Sequence, residues 1–261
     1  MCKVQNFKEY RKQIGFLNQD KLKSFLSAKD IKSEIDFSYI DNLNNRLCEI
    51  IKILNSIVHK QIRLDDVDDF CKENIFNTYN ILKDNKILPK LNNQGRRPEQ
   101  VYFSWMRGFL ISKFFTKALS QIFEINQNDI KIIGDDRLDD IENFKRQPTA
   151  DLEIKTNGKT VNIEMQSGYK GINDIKKHKV IEGIRQFSDN GIYSLVIHVD
   201  FFNGQVAFVN IGNIADNEII WISRKEMEGQ EVFEISQDDF IWSLTETPPA
   251  LKDLKQIIFN E

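Results

Sequence analysis

The stretch from Pro98 to about residue 124 constrains the fold more than any other. Val101, Tyr102, Phe103, Trp105, Met106, Phe109, Leu110, Ile111, Phe114, Phe115, Leu119, Ile122 and Phe123 fall on nearly every side of a helix with the usual 3.6-residue period. Such a helix must be covered on more than one side, so it lies in the middle of the protein or against a second subunit. Pro98 suits the first helical position, where its missing N–H costs nothing, and Glu99 adds an acid to the first turn.

What precedes this helix reads as a helical region over residues 1 to 90. Phe7, Tyr10, Ile14 and Phe16 open one apolar pattern, and Leu22, Phe25 and Leu26 continue it. Leu43, Leu47, Ile50, Ile51, Leu54, Ile57 and Val58 make an amphipathic stripe of several turns. A further helix is expected from Asp65 to Leu82, facing inward through Val67, Phe70, Ile75, Tyr79 and Leu82. The acids Asp65, Asp66, Asp68 and Asp69 at its start complement the helix dipole and are not read as a metal site. The loop before Pro98 carries Arg96 and Arg97.

After the central helix the pattern changes to strands. Ile130, Ile132 and Ile133 suggest one, followed by a polar loop with Asp135, Asp136, Asp139 and Asp140. Two more strands flank Asn157-Gly158, the dipeptide that most favours a two-residue type I′ turn. A helix is expected from Ile172 to Phe187, with Lys176, Lys177, His178 and Lys179 on it, and then a doubly buried strand from Tyr193 to Val199. Residues 205–211, 219–222 and 231–235 read as further strands, and Leu251–Phe259 as a terminal helix. Because the strand at 193 follows a helical crossover, it should join in parallel. The expected fold is α/β: a mixed central sheet flanked by helices, with a helical N-terminal region.

Bulk properties exclude some functions. A 261-residue chain with 41% hydrophobic and 29% charged residues can bury a core without staples. A net charge of −3 gives no global basic field, which argues against a non-specific coating of nucleic acid, but 36 Lys and Arg suffice for a local basic cleft. Cys2, Cys48 and Cys71 show no metal-binding spacing and read as reduced structural thiols. With no apolar run of transmembrane length and a charged start, the sequence reads as that of a soluble cytoplasmic protein. His59 and His198 sit in apolar patterns and read as structural, and His178 as a surface or backbone-contacting residue.

Antiparallel pairing across Asn157-Gly158 brings Asp151 to the Glu164/Gln166 end of the partner strand, so two carboxylates converge. Asp151 lies between Ala150 and Leu152 on a segment expected to be buried, where an unpaired carboxylate is costly and a divalent cation would offset the cost. The order of elements over residues 98 to 200, with Asp151, Glu164 and Gln166 inside it, resembles the core of the PD-(D/E)XK nuclease superfamily, which includes many type II restriction endonucleases. The resemblance implies that Asp151 and Glu164 bind Mg²⁺ together with the Met165 carbonyl, and that Glu99 is an assisting helix acid. Pro148 stands three residues before the Asp rather than next to it, and Gln166 occupies the position where lysine is usual, which leaves the lysine's role unassigned.

The implied activity is Mg²⁺-dependent cleavage of double-stranded DNA at a specific site by residues 91 to 261, with a homodimer for a palindromic target and the 98–124 helix as one candidate dimer surface. Lys170, Asn173, Lys176, Lys177 and Lys179, with Arg96 and Arg97, are the candidate DNA contacts. The alternatives are a transposon-associated or repair nuclease of the same superfamily, or a non-catalytic DNA-binding module on the same fold.

Overall fold

The computed structural model describes residues 6–16, 18–28, 31, 34–91, 96–134, 150–169, 171–214, 219–225 and 229–260. Helices come first, as the periodicity requires: α1 (Asn6–Ile14), α2 (Gln19–Leu26), α3 (Phe37–Ile57), α4 (Val67–Cys71) and α5 (Thr78–Asp84). Asp36 caps α3 by accepting the Tyr39 N–H, and Asp66 caps α4 through the Asp69 N–H. The acids at 65–69 therefore start a helix, with Asp68 and Asp69 in its first turn. Between α4 and α5 the helix continues through a π-helical stretch, Lys72–Asn77.

The central helix is α6 (Pro98–Phe114), followed directly by α7 (Thr116–Ile122), with Phe115 (φ −84°, ψ 0°) breaking the expected single helix between them. Its all-round apolar surface is covered within its own chain. Val101, Tyr102, Trp105, Met106, Phe109, Leu110, Ile111 and Phe114 are all buried, so α6 lies in the middle of the protein and does not present the dimer surface expected as one option. Helix α3 covers part of it through Ile40, Leu47, Ile51 and Leu54. The phenol of Tyr102 donates to Asn44 Oδ1 across this packing at 2.6 Å.

The sheet is mixed, as expected. It has the order β1 (Lys131–Ile132), β2 (Leu152–Thr156), β3 (Lys159–Gly168), β5 (Tyr193–Asp200), β6 (Gln205–Asn210) and β9 (Phe240–Ser243). Only the β3–β5 contact is parallel; the others are antiparallel. The β2–β3 turn has φ +50° at Asn157 and +72° at Gly158, the positive values a type I′ turn needs at both positions, and Thr156 pairs with Lys159 across it. Strand β5 is buried from Ser194 to Asp200, in keeping with helices on both faces. One face of the sheet packs on α6 and α9 (Leu251–Phe259), through Ile163, Met165, Ile197 and Phe208 among others. The other face, with Val196, Ala207 and Val209, packs under Val180 of α8 (Lys177–Asn190).

The structure corrects the expected helix from Ile172. Residues Asp174–Lys176 form a strand, β4, paired antiparallel with β8 (Gln230–Glu234), which in turn pairs with β7 (Trp221–Arg224) in a small second sheet. Ile175 is fully buried there, and Arg224 clamps the Asp174 carboxylate with two hydrogen bonds of 2.9 and 3.1 Å. Helix α8 therefore begins at Lys177. The expected strand at 219–222 falls at 221–224, and β9 had no counterpart in the sequence reading.

Cys48 and Cys71 are unpaired thiols, and burial pushes that of Cys71 up to about 12, which leaves it unreactive. Cys2 lies outside the described residues. Among the described residues no helix is long and apolar enough to cross a membrane.

Candidate functional site

Strand register puts the two acids together. Leu152 pairs with Ile163, so the residue before it, Asp151, stands opposite Glu164 on the sheet face that α8 covers. The Asp151 N–H donates to the Ile163 carbonyl (3.1 Å), and the Met165 N–H donates to Asp151 Oδ2 (2.8 Å), so backbone and carboxylate are both tied to β3. Met165 itself turns its side chain into the α6 core, leaving only its backbone for the site.

A cation completes the pair, and it comes from α8. The Lys179 ammonium donates to Glu164 Oε1. Burial pushes the Lys179 amine below the usual lysine range, and the Asp151 carboxylate works in the opposite direction, which places that carboxylate within electrostatic reach of the same lysine. Asp151, Glu164 and Lys179 thus converge. Glu164 and Lys179 border a cleft of about 90 Å³ whose walls also include Ala150, Asn162, Glu182 and Gln186. Glu182 is committed to Arg185 and Gln186, which hold its carboxyl below the usual range.

The lysine reaches the sheet because α8 lies close to it. A Cβ on Gly183, one turn beyond Lys179, would fall 2.8 Å from Ile211 Cγ1 and 3.1 Å from Ser194 Cβ. Only glycine permits that approach without displacing a neighbour.

The other expected site residues are dispersed. Gln166 is half-buried beside His198 in the register, and its amide has no hydrogen bond among the described residues. Glu99 is fully buried, but it accepts the Asp36 N–H at 2.8 Å and the Arg97 guanidinium at 2.9 and 3.2 Å. Burial pushes its carboxyl up, but the Asp36 N–H and Arg97 outweigh burial and hold it below the usual range. Its partners thus lie at the start of α3 and in its own helix cap, and none belongs to β2, β3 or α8.

Among the candidate DNA contacts, Lys177 pairs with Glu231 of β8 at 2.7 Å and lies over the Trp221 ring, and Asn173 Oδ1 meets His198 Nε2 at 2.8 Å. Lys176 and Arg96 are exposed, and so is His178. Lys170, Pro148 and the polar loop of Asp135 to Asp140 lie outside the described residues.

His198 is buried, and desolvation pushes its imidazole down to about 4, so it is a neutral core residue. His59 serves at the edge of a short 3₁₀ turn, where its Nδ1 accepts the Gln61 N–H at 3.4 Å. No protein-family model matches the chain, and no curated protein sequence matches it.

Among the described residues no three His, Cys, Asp or Glu groups cluster as a ready metal site. The side-chain donors on this face are hard oxygens: the Asp151 and Glu164 carboxylates and, on the cleft wall, Asn162 Oδ1, a buried acceptor with no hydrogen-bond partner. Mg²⁺ takes one or two carboxylates and fills its shell with water, so this donor set fits it. Lys179 supplies positive charge to the same carboxylates, and its ammonium and a divalent cation would compete for Glu164.

Lys179 is expected from the sequence in a basic cluster contacting phosphate, and what the sequence does not show is its pairing with Glu164. Nothing local marks it. Its direction is set by where α8 starts, and that depends on β4 pairing with a strand more than fifty residues later.

Proposed function

We propose that the chain is a Mg²⁺-dependent nuclease that hydrolyses phosphodiester bonds at the Asp151–Glu164–Lys179 site. The observation that carries this reading is the convergence of two carboxylates and a desolvated lysine on one sheet face. Asp151, Glu164 and the Met165 carbonyl would hold the cation. Bound there, Mg²⁺ supplies charge neutralisation at the phosphate and acidifies water.

The chain's own groups do the rest. Hydrolysis adds water to phosphorus and breaks a P–O ester bond, leaving a phosphomonoester and a hydroxyl. Negative charge grows on the phosphate oxygens along the way. Lys179, held in a site of restricted water, places a positive charge against that growth, where a fixed cation is worth more than in bulk water. This supplies from α8 the cation that Gln166 lacks. The Met165 N–H fixes Asp151, and the Gln166 amide is available to orient water or phosphate.

The finer reading is a type II restriction endonuclease, acting in the cytoplasm as a homodimer on a specific site in double-stranded DNA. The deciding experiment incubates the protein with plasmid and Mg²⁺ beside Asp151→Asn, Glu164→Gln and Lys179→Met. Discrete fragments that vanish in all three variants support the restriction reading. Nicking or smearing instead favours a transposon-associated or repair nuclease. Cleavage retained in Asp151→Asn and Glu164→Gln removes the site, and DNA binding without cleavage under any divalent cation leaves a non-catalytic module.

A further inference from the structure

Beyond Gln166, strands β3 and β5 end side by side. The Phe201 N–H donates to the Gly168 carbonyl at 2.9 Å, so Tyr169 and the turn from Phe201 to Gly204 occupy neighbouring strand ends. Two large aromatic residues there face solvent: Tyr169 is 54% exposed and Phe202 82%. The Arg107 guanidinium of α6 lies 5.4 Å from the centre of the Tyr169 ring, and it has no carboxylate partner among the described residues.

The turn that carries Phe202 is not a loose one. Asp200, fully buried, accepts the Phe202 N–H (3.0 Å) and the Asn203 N–H (3.3 Å) at one oxygen, and the Asn203 amide (2.7 Å) at the other. Gly204 donates to the Asp200 carbonyl and accepts from Leu244, and its φ of +67° needs glycine. All of these contacts use the backbone of Phe202 or other residues. The fold would accept a small polar side chain at 202, so nothing in the turn requires a phenyl ring in water.

A rigid, exposed ring fits a partner with a flat π-face. A protein partner would call for a wide apolar patch, but Asn203 and Gln205 follow Phe202 closely in the chain, and the Gln237 amide donates to Gln205 Oε1 at 3.1 Å. Aromatic rings among amides, with an arginine at hand, are what a single-stranded nucleic acid requires: rings to stack on bases, and a cation for the phosphate. Tyr169 follows the last residue of β3, five positions and about 16 Å beyond Glu164 at the usual strand rise, and it lies beside α6, whereas Glu164 is on the face under α8.

We infer that Tyr169, Phe202 and Arg107 form a binding subsite for unstacked nucleobases, so that the strand leaving the cleavage site is held single-stranded at the ends of β3 and β5. This rests on the nuclease reading for its biological sense, but its test needs no cleavage. Fluorescence anisotropy of a labelled, short, mixed-sequence single-stranded oligodeoxynucleotide is measured in EDTA for the wild type, Phe202→Ala, Tyr169→Ala and Phe202→Trp, each checked for folding by circular dichroism.

Each alanine variant is expected to bind about tenfold more weakly, as loss of one stacked base predicts, while Phe202→Trp binds as the wild type does. Three results overturn the inference. They are wild-type affinity in both alanine variants, no binding of single strand by the wild type, and an assembly that dissociates on Phe202→Ala while oligonucleotide affinity stays unchanged. Retained stacking with no plasmid cleavage would remove the nuclease reading and leave the subsite. Cleavage without stacking would do the reverse.

Discussion

At the scale of single residues, the pairing of Lys179 with Glu164 predicts a trade under the proposed nuclease reading. Replacing it by Met removes the cation set against the phosphate, and cleavage should fall by about a hundredfold or more. The same change removes a competitor for the carboxylates, so Mg²⁺ or Mn²⁺ should bind Lys179→Met several-fold more tightly in isothermal titration. Equal or weaker metal binding would show that the carboxylates are not the cation's ligands. His198 gives a prediction in pH. Its imidazole is pushed from an ordinary 6.5 down to about 4, chiefly by desolvation, with Asp200 and Asp174 opposing. The unfolded chain takes up this proton below pH 6.5 and the folded chain refuses it until about pH 4. Stability from this group is thus complete above that window and lost as pH falls through it, by roughly 3 kcal/mol. Urea unfolding at neutral and acidic pH should show this loss in the wild type but not in His198→Gln.

At the scale of elements, two glycines act for different reasons. Gly158 has φ +72° and open space where a Cβ would sit, so Gly158→Ala meets only backbone strain. It should cost about 1 kcal/mol in urea unfolding with little change in cleavage. Gly183 has an ordinary φ but no space: a Cβ there meets Ile211 and Ser194. Gly183→Ala should push α8 off the sheet and carry Lys179 with it. A loss of about 1 to 3 kcal/mol is expected together with a drop in cleavage, and Ile211→Val in the same chain should recover part of both. If Gly183→Ala alone left cleavage and stability intact, close packing of α8 would not be what positions the lysine.

The whole molecule has one principal core, running from Ile40 in α3 to Phe259 in α9. Helix α6 sits inside it, covered from one side by α3 and from the other by β3. The helical region before residue 91 therefore supplies packing that the rest of the chain needs. A fragment beginning at Arg96 should expose the Tyr102 and Met106 face of α6 and fail to give a cooperative urea transition, whereas the full chain should unfold in one step. A well-folded fragment would mean that α3 to α5 form an independent unit.

Much of this architecture was legible in the sequence because it depends on neighbours in the chain. The turn at Asn157-Gly158 follows from residue types that tolerate positive φ, and the register it sets brings Asp151 opposite Glu164. The all-round apolar surface of α6 required burial, and the packing of α3 against it decides that part of its cover comes from this chain. Three features depended on distant contacts and could not be read locally. Ile175 fits a helical stripe as well as a strand, and pairing with Phe233 made it a strand. That moved the start of α8 to Lys177. Glu99 stands in the first turn of its helix as expected, but the arrival of Asp36 and Arg97 turned it into a structural anchor. The pair Asp151 and Glu164 was written in a hairpin of adjacent residues, which spacing alone can align. Lys179 joined them only because a strand pairing across more than fifty residues and a glycine contact on another strand fixed where one helix begins and how closely it lies.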